Sequence, residues 1–277
     1  MITVEMLDKY LQESKGNYVS KEDALRPELV GMKIFDTPLM CVGDVEDPKF
    51  RELQEPQAIG PHFRLPQEWL PGAKRVISMF FPFTDVVKSS NTPANAEPSD
   101  EWLHARIEGQ KFLNEVCLFI KEELERQGEQ AVVPILTENF WAVEKPGTNP
   151  RADGPELGFT SNWSERHVAF VCGLGTFCLS KGLITEKGVC GRFASVITTA
   201  ELPATTRPYK EVYEYCNMCG ACIRHCPVGA ISLEGGKDHE LCRQYVDEMK
   251  IRYAPRYGCG KCQIAVPCMS RIPNKIK

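Results

Sequence analysis

The chain has 277 residues, of which 43% are hydrophobic and 25% are charged, and its formal net charge is −4. These values are ordinary for a globular protein, so they exclude a disordered chain and do not indicate a strongly basic nucleic-acid-binding protein. The length corresponds to one large domain or two smaller ones. The unusual number is 13 cysteines, because eight of them lie between residue 216 and the C-terminus.

The hydrophobic pattern predicts helices and strands that alternate, followed by a cysteine-rich segment. In the N-terminal part we expect an amphipathic helix at 4–14, mostly irregular chain to about Pro71, and a buried strand at 75–83 that is stopped by Pro82. A long helix at 102–127, capped by Ser99-Asp100, and a strand at 131–136 are expected next. After these we expect a long polar connection at 139–162, a helix at 165–171 and a strand at 192–200. This order predicts an α+β fold in three parts. Residues 1–70 form an N-terminal helix and wrapping segment, residues 71–207 an α/β core, and residues 208–277 an appended ferredoxin-like module.

The cysteines point to metal binding inside the cell rather than to disulfides. The N-terminus lacks the basic region and apolar run of a secretory signal, and the apolar run at 76–83 is too short to span a membrane. We therefore expect a cytoplasmic protein without membrane partners. In that reducing compartment clustered thiols are more often metal ligands, and 13 cysteines leave one unpaired in any all-disulfide scheme.

The spacing Cys216-x2-Cys219-x2-Cys222-x3-Cys226-Pro227 is typical of bacterial two-cluster ferredoxins, in which the fourth cysteine ligates the other cluster. Four more cysteines follow, so the segment holds the eight ligands that two clusters need. We assign one [4Fe–4S] cluster to Cys216, Cys219, Cys222 and Cys268, and the other to Cys226, Cys242, Cys259 and Cys262. Structural zinc also uses paired C-x2-C motifs, but it requires neither the third cysteine nor the C-P ending.

Residues 216–277 contain ten basic and five acidic side chains, although the whole chain is acidic. A solvated surface would explain this excess, and so would compensation for anionic clusters. Of the other five cysteines, Cys41 and Cys117 are predicted to be packing residues. Cys172, Cys178 and Cys190 surround a glycine segment, where a functional thiol is the alternative to packing.

Three sequence motifs resemble the epoxyqueuosine reductase family, which is related to the cobalamin-dependent reductive dehalogenases. The first is the segment Glu165–Ser180, with Gly173-Leu-Gly175 after a Glu-Arg pair. The second is Leu70-Pro-Gly-Ala73 before the first core strand, and the third is Tyr257-Gly-Cys-Gly-Lys-Cys-Gln263. Together with the cysteine run, the resemblance extends over about residues 70–270.

This resemblance implies a nitroreductase-like core that holds a base-off cobalamin beside two [4Fe–4S] clusters. Gly173, Gly175 and Ser180 match the segment near the corrin, and glycine lets the backbone approach a flat ligand closely. A tight turn between helix and strand would explain the same glycines. The expected partners are an electron donor such as a ferredoxin or flavodoxin and a small-molecule substrate or a redox partner.

The chain departs from the family pattern at three places. A gap-free alignment puts Phe159 where the reductases carry their aspartate proton donor, which argues against tRNA epoxyqueuosine as the substrate. Val266 occupies the expected position of the last cysteine, so we expect Cys268 to ligate through a shifted backbone. Thr176 and Leu179 replace the tryptophan and lysine of the glycine segment.

Two functions fit these observations. The first is a reductase whose clusters pass electrons to a cobalamin that acts on an unidentified substrate. The alternative is a non-catalytic [4Fe–4S] electron-transfer protein that docks a redox partner and binds no cobalamin. Retention of a base-off corrin spectrum through gel filtration would distinguish the reductase from the carrier.

Overall fold

A computed structural model describes residues 2–143 and 159–275 of the chain. The helices are α1 Val4–Glu13, α2 Lys49–Glu52, α3 Pro66–Trp69, α4 Asp85–Ser90, α5 Asp100–Arg126, α6 Glu165–Cys172, α7 Ala221–Arg224 and α8 His239–Tyr253. The strands are β1 Leu39–Asp44, β2 Arg75–Pro82, β3 Ala131–Val132, β4 Ala142–Val143, β5 Thr160–Ser161, β6 Gly175–Phe177, β7 Leu183–Thr185, β8 Gly191–Thr198, β9 Ile231–Ser232 and β10 Gly236–Lys237.

The core is a four-stranded sheet of order β1-β2-β8-β3, and each pair of neighbours in it is antiparallel. The longest pairing joins β2 to β8, from Arg75 opposite Thr198 to Pro82 opposite Gly191. β6 and β7 form a separate antiparallel hairpin. The mixed helix-and-sheet architecture that the sequence predicts is therefore confirmed.

Helices cover both faces of the sheet, because the side chains of β2 alternate between two hydrophobic cores. Ile77, Met79 and Phe81 pack in the core that contains the inner face of α5. Val76 and Phe80 pack in the other core, which contains α6. A strand buried on both faces has no polar face, which explains why residues 76 to 81 are all buried and, apart from Ser78, apolar.

The predicted helix ends have identifiable caps. The Ser99 side chain accepts a hydrogen bond from Trp102 N at the start of α5. Gly173 ends α6 in the left-handed conformation at φ 100°, which a side chain would strain. The sequence-based predictions for α1, α5, α6, β2 and β8 are confirmed to within two residues at nearly every end.

Two parts of the chain differ from the sequence-based expectation. Leu39–Asp44 form edge strand β1 and are not irregular, because pairing with β2 supplies order that the local sequence does not signal. The expected strand at 131–136 ends after Val132, since Pro134 begins a 3₁₀ turn. The polar connection at 139–162 begins and ends with the paired strands β4 and β5, and its residues 144–158 lie outside the described residues.

The cysteine-rich segment packs closely on the core. Backbone hydrogen bonds join Val189 N to Cys268 O at 2.9 Å and Cys190 N to Met269 O at 3.3 Å. The Lys261 ammonium, on the other side, donates to Asn91 Oδ1 at 2.9 Å and to Thr92 O at 2.8 Å. Within the described ranges, no helix is long and apolar enough to cross a membrane.

Candidate functional site

The first cysteine set lies around one cavity beside the β6–β7 hairpin. This cavity is lined by Cys216, Cys219, Cys222 and Cys268, together with Cys178 and other residues. Gly220 adopts φ 68° directly before α7, which carries Cys222, so the chain reverses direction between the second and third cysteines. The grouping of these four thiols is the one that the first cluster assignment requires, while ligation itself stays a prediction.

Cys268 and Val266 both line the cavity of the first cysteine set. Val266 is 6% exposed and packs with Ile184, Val189 and Ala221. The Cys268 carbonyl is held by the hydrogen bond from Val189 N. Of these two residues only Cys268 offers a thiol, and its ligation through a shifted backbone stays a prediction.

The second cysteine set lines a larger cavity of about 290 Å³. Cys242 comes from the first turn of α8, which the Asp238 side chain caps by accepting from Glu240 N and Leu241 N. Cys226, Cys259 and Cys262 complete the set. Cys262 lines both cavities, so the two sets are adjacent.

The thiols have the environment that iron–sulfur ligands need. Burial and neighbouring thiols raise the pKa of Cys222 to about 12, and burial raises the pKa of Cys259 to about 12. Buried thiols stay protonated unless a cation stabilises the thiolate, as iron does in a cluster. The Ala230 N–H donates to Cys226 Sγ at 3.2 Å, and hydrogen bonds to sulfur tune cluster potential.

Among the described residues, no group of three or more His, Cys, Asp or Glu side chains is close enough to hold a single metal ion. The two sets are therefore cavity linings, not closed coordination shells. Their donor chemistry, four thiols in each set, fits two four-iron clusters.

The larger cavity is strongly cationic. Its lining includes Arg106, Arg166, Arg192, Lys237, Arg243 and Lys250. The acid in the lining is Asp247, which pairs with Arg243 at 2.6 Å. Arg106 donates to Tyr257 Oη at 2.7 Å and stacks over that ring at 4.5 Å.

Apolar rings share this cavity with the cations. Phe83 and Trp102 line its core side, and Phe159 lines it at the end of the undescribed segment. Phe159 is 54% exposed and stacks on the His239 ring at a centroid distance of 5.4 Å. The residue at the family's aspartate position therefore lies at the cavity, where it offers an apolar surface and no proton.

The three residues matched to the corrin segment have different surroundings. Gly173 ends α6, and a methyl group on Gly175 would overlap the carbonyl oxygen of Ile184 in β7. The Gly175 N–H donates to the Tyr209 hydroxyl. Ser180 lines the cavity of the first cysteine set and contacts Cys178 at 3.3 Å. The left-handed backbone accounts for Gly173 and packing for Gly175, and their cobalamin role stays a prediction.

The remaining cysteines separate into two groups. Cys117, Cys172 and Cys190 are buried in the hydrophobic cores, and Cys41 packs against one of these cores. Cys178, in contrast, lines the first cavity beside five predicted ligands, namely the four of the first set and Cys262. Packing explains the first group, and Cys178 is an additional thiol at a cluster site.

The sequence did not single out the arginines of the larger cavity. Arg106 lies on α5, Arg166 on α6 and Arg192 on β8, so their separations along the chain are large. The basic excess of residues 216–277 was a partial signal, because it includes Lys237, Arg243 and Lys250. No local pattern indicates that the other three converge with them.

Comparisons with known proteins agree with the sequence motifs. A family model described as a 4Fe-4S binding domain matches residues 209–232, which include Cys216 to Cys226. A curated epoxyqueuosine reductase from Bacillus cereus is 25% identical over 214 residues, covering 73% of this chain and 50% of the relative. The chain thus spans about half the length of the curated relative that it matches.

Two solved structures share the fold. One is an epoxyqueuosine reductase with an epoxyqueuosine-modified tRNA-Tyr stem loop, at TM-score 0.50 and 18% identity, covering 96% of this chain and 66% of that chain. The other is a catabolic reductive dehalogenase in complex with 3-bromo-4-hydroxybenzoic acid, at TM-score 0.52 and 14% identity, covering 98% and 36%. The chain is therefore an epoxyqueuosine reductase-like iron–sulfur protein, and its fold is similar to that of the reductive dehalogenases.

Proposed function

We propose that the protein is a reductase in which two [4Fe–4S] clusters deliver electrons to an acceptor in the 290 Å³ cavity, and that this acceptor is a cobalamin. The observation that carries the proposal is the position of the second cysteine set. Its four thiols form part of the cavity wall, so a cluster there would occupy part of the cavity and lie directly beside whatever fills the rest. The nitroreductase-like core and the two-cluster module are part of the same proposal.

The two cysteine sets form a path for single electrons. The first set would hold one cluster and the adjacent second set the other, and these clusters would supply single-electron transfer from a ferredoxin or flavodoxin. Arg166 lines the cavity of the second set. A cation at this place would stabilise added negative charge on the cluster there.

The fit of the cavity to cobalamin rests on position and charge. Cobalamin carries a phosphodiester, and the cationic side chains of the lining, such as Lys237 and Lys250, are suited to bind an anion. The cavity is open to solvent, so a corrin would extend beyond its 290 Å³. When bound, cobalamin would supply cobalt-centred bond chemistry, while the chain orients the substrate and excludes water.

The relative with a modified tRNA stem loop raises tRNA as a possible substrate class. Phe159 argues against the same proton transfer here, because its ring has no proton to donate. We therefore propose a small-molecule substrate for the cavity. The non-catalytic carrier is not favoured, because a carrier needs no deep cationic cavity beside its second cluster.

The test is anaerobic reconstitution with iron and sulfide, followed by incubation with cobalamin and gel filtration. We expect about eight irons per chain and a base-off corrin spectrum that elutes with the protein. The Cys242→Ala variant should lose one cluster, and the Cys117→Ala variant, altered in the core, should keep both. Full iron content without retained corrin would refute the cobalamin proposal and support the electron carrier.

A further inference from the structure

The larger cavity contains positive charge that the described residues do not pair in salt bridges. Within residues 2–143 and 159–275, Arg106, Arg166, Arg192, Lys237 and Lys250 form no salt bridge, although they line one cavity. Arg243 is different, because Glu240 and Asp247 flank it. Five cations in one cavity repel each other, and a cluster held by the second cysteine set, at about −2 including its thiolates, would offset only part of that repulsion. A further anion would offset the rest.

The neutral partners of the arginines hold them in place without neutralising them. Arg192 donates through Nε to Gln110 Oε1 at 3.1 Å, and Arg106 donates to the Tyr257 hydroxyl. Arg166 donates to the backbone carbonyl of Lys181 at 2.7 Å. An amide, a phenol and a carbonyl fix each guanidinium and leave its full charge available to a ligand.

The three guanidinium groups line one cavity and influence one another's pKa. Burial, together with Arg106 and Arg166, lowers the pKa of Arg192 to about 9. Burial also lowers the pKa of Arg166, and Arg106 acts in the same direction. Planar guanidinium groups that line one cavity can bind carboxylate or phosphate oxygens with two parallel hydrogen bonds.

We infer that Arg106, Arg166 and Arg192 form an oxyanion subsite, and that the substrate is a small molecule with a carboxylate or phosphate group attached to an apolar body. The apolar body would lie against Trp102 and Phe159, which line the same cavity. The identification of this ligand as a substrate rests on the proposed reductase function. The phosphodiester of cobalamin has the same chemistry, and the experiment separates the two sources.

The experiment is anaerobic isothermal titration calorimetry of the cluster-loaded protein with phenyl phosphate, and with benzyl alcohol as the neutral control. We expect phenyl phosphate to bind and benzyl alcohol to bind much more weakly. Each of Arg106→Gln and Arg192→Gln should weaken phenyl phosphate binding about tenfold or more, because a charge-assisted hydrogen bond is lost. Arg51→Gln, at an exposed position on α2, should leave the affinity unchanged.

The variants Arg106→Lys and Arg192→Lys keep the charge but lose the planar fork, so they should bind with intermediate affinity. They keep the inference testable if a glutamine variant does not fold. Equal binding by the native protein and both glutamine variants would overturn the inference, as would the absence of phenyl phosphate binding to the native protein.

A second titration with cobalamin present separates the two anion sources. Phenyl phosphate that still binds beside retained cobalamin supports a substrate subsite. Competitive displacement of phenyl phosphate by cobalamin would overturn the inference of a substrate subsite, and it would show that these arginines bind the cofactor. If the protein retains no cobalamin but binds phenyl phosphate through these arginines, the subsite stands and the cobalamin proposal fails.

Discussion

Replacement of Cys268 by alanine tests the least regular part of the cluster assignment. Cys268 lines the first cavity with Cys216, Cys219 and Cys222, and Val266, at the expected position, lines the same cavity but has no thiol. Removal of one of four thiolate ligands should prevent stable assembly of that cluster. The iron content should fall from about eight to about four atoms per chain, because the second set keeps its ligands.

The assay is iron and sulfide determination after anaerobic reconstitution, with electron paramagnetic resonance of the reduced protein. Interaction between two neighbouring reduced clusters should give a broadened spectrum in the native protein and a simple one in the variant. The control is Cys190→Ala, which removes a fully buried thiol whose backbone contacts Met269 on the same segment. This control should cost about 1 kcal/mol of stability and no iron.

Full iron content in Cys268→Ala would refute the reasoning, unless Cys178 replaces the lost ligand from the same cavity. The double variant Cys178→Ala/Cys268→Ala decides between these explanations. Loss of about four irons in the double variant alone would identify Cys178 as the substitute. Eight irons in both variants would show that the first cluster is not held by Cys268.

Three further predictions concern stability around the site. Lys261→Met removes two hydrogen bonds of a buried ammonium, to Asn91 Oδ1 and Thr92 O, and should destabilise the protein by about 2–4 kcal/mol in anaerobic urea unfolding; an unchanged midpoint would contradict it. Gly260 has φ 70°, and Gly260→Ala would place a methyl group inside the Trp102 ring, so this variant should lower the melting temperature and the occupancy of the second cluster. The control is Gly229→Ala, whose methyl group meets no neighbouring atom and which should strain only the backbone. Burial raises the pKa of the Glu165 carboxyl from 4.5 to about 7, so the unfolded chain releases this proton at a lower pH than the folded protein does. The free energy of unfolding should therefore fall by up to about 3 kcal/mol between about pH 4.5 and pH 7. Glu165→Gln should remove this loss and melt higher than the native protein at about pH 8, and a parallel pH dependence of the two melting temperatures would contradict it.

The sequence alone predicted the long elements and the metal chemistry. Helix α5 follows from its apolar spacing and its Ser99 cap, and β2 and β8 follow from apolar runs, because these signals are local. The iron–sulfur prediction follows from the spacing of Cys216 to Cys226, since three ligands in one tight run can meet around one cluster while the fourth reaches its neighbour. Phe159 was identified by alignment, but its place at the cavity wall was not.

The tertiary structure decided which distant residues share a site. Arg106, Arg166 and Arg192 meet only because α5, α6 and β8 pack around one sheet, and no periodicity within a segment reports that packing. The same holds for β1, which is a strand only because it pairs with β2. The predicted iron ligands could be read from the sequence because cluster ligation requires a particular spacing of cysteines along the chain. The cationic cavity required the fold, because packing brings its residues together.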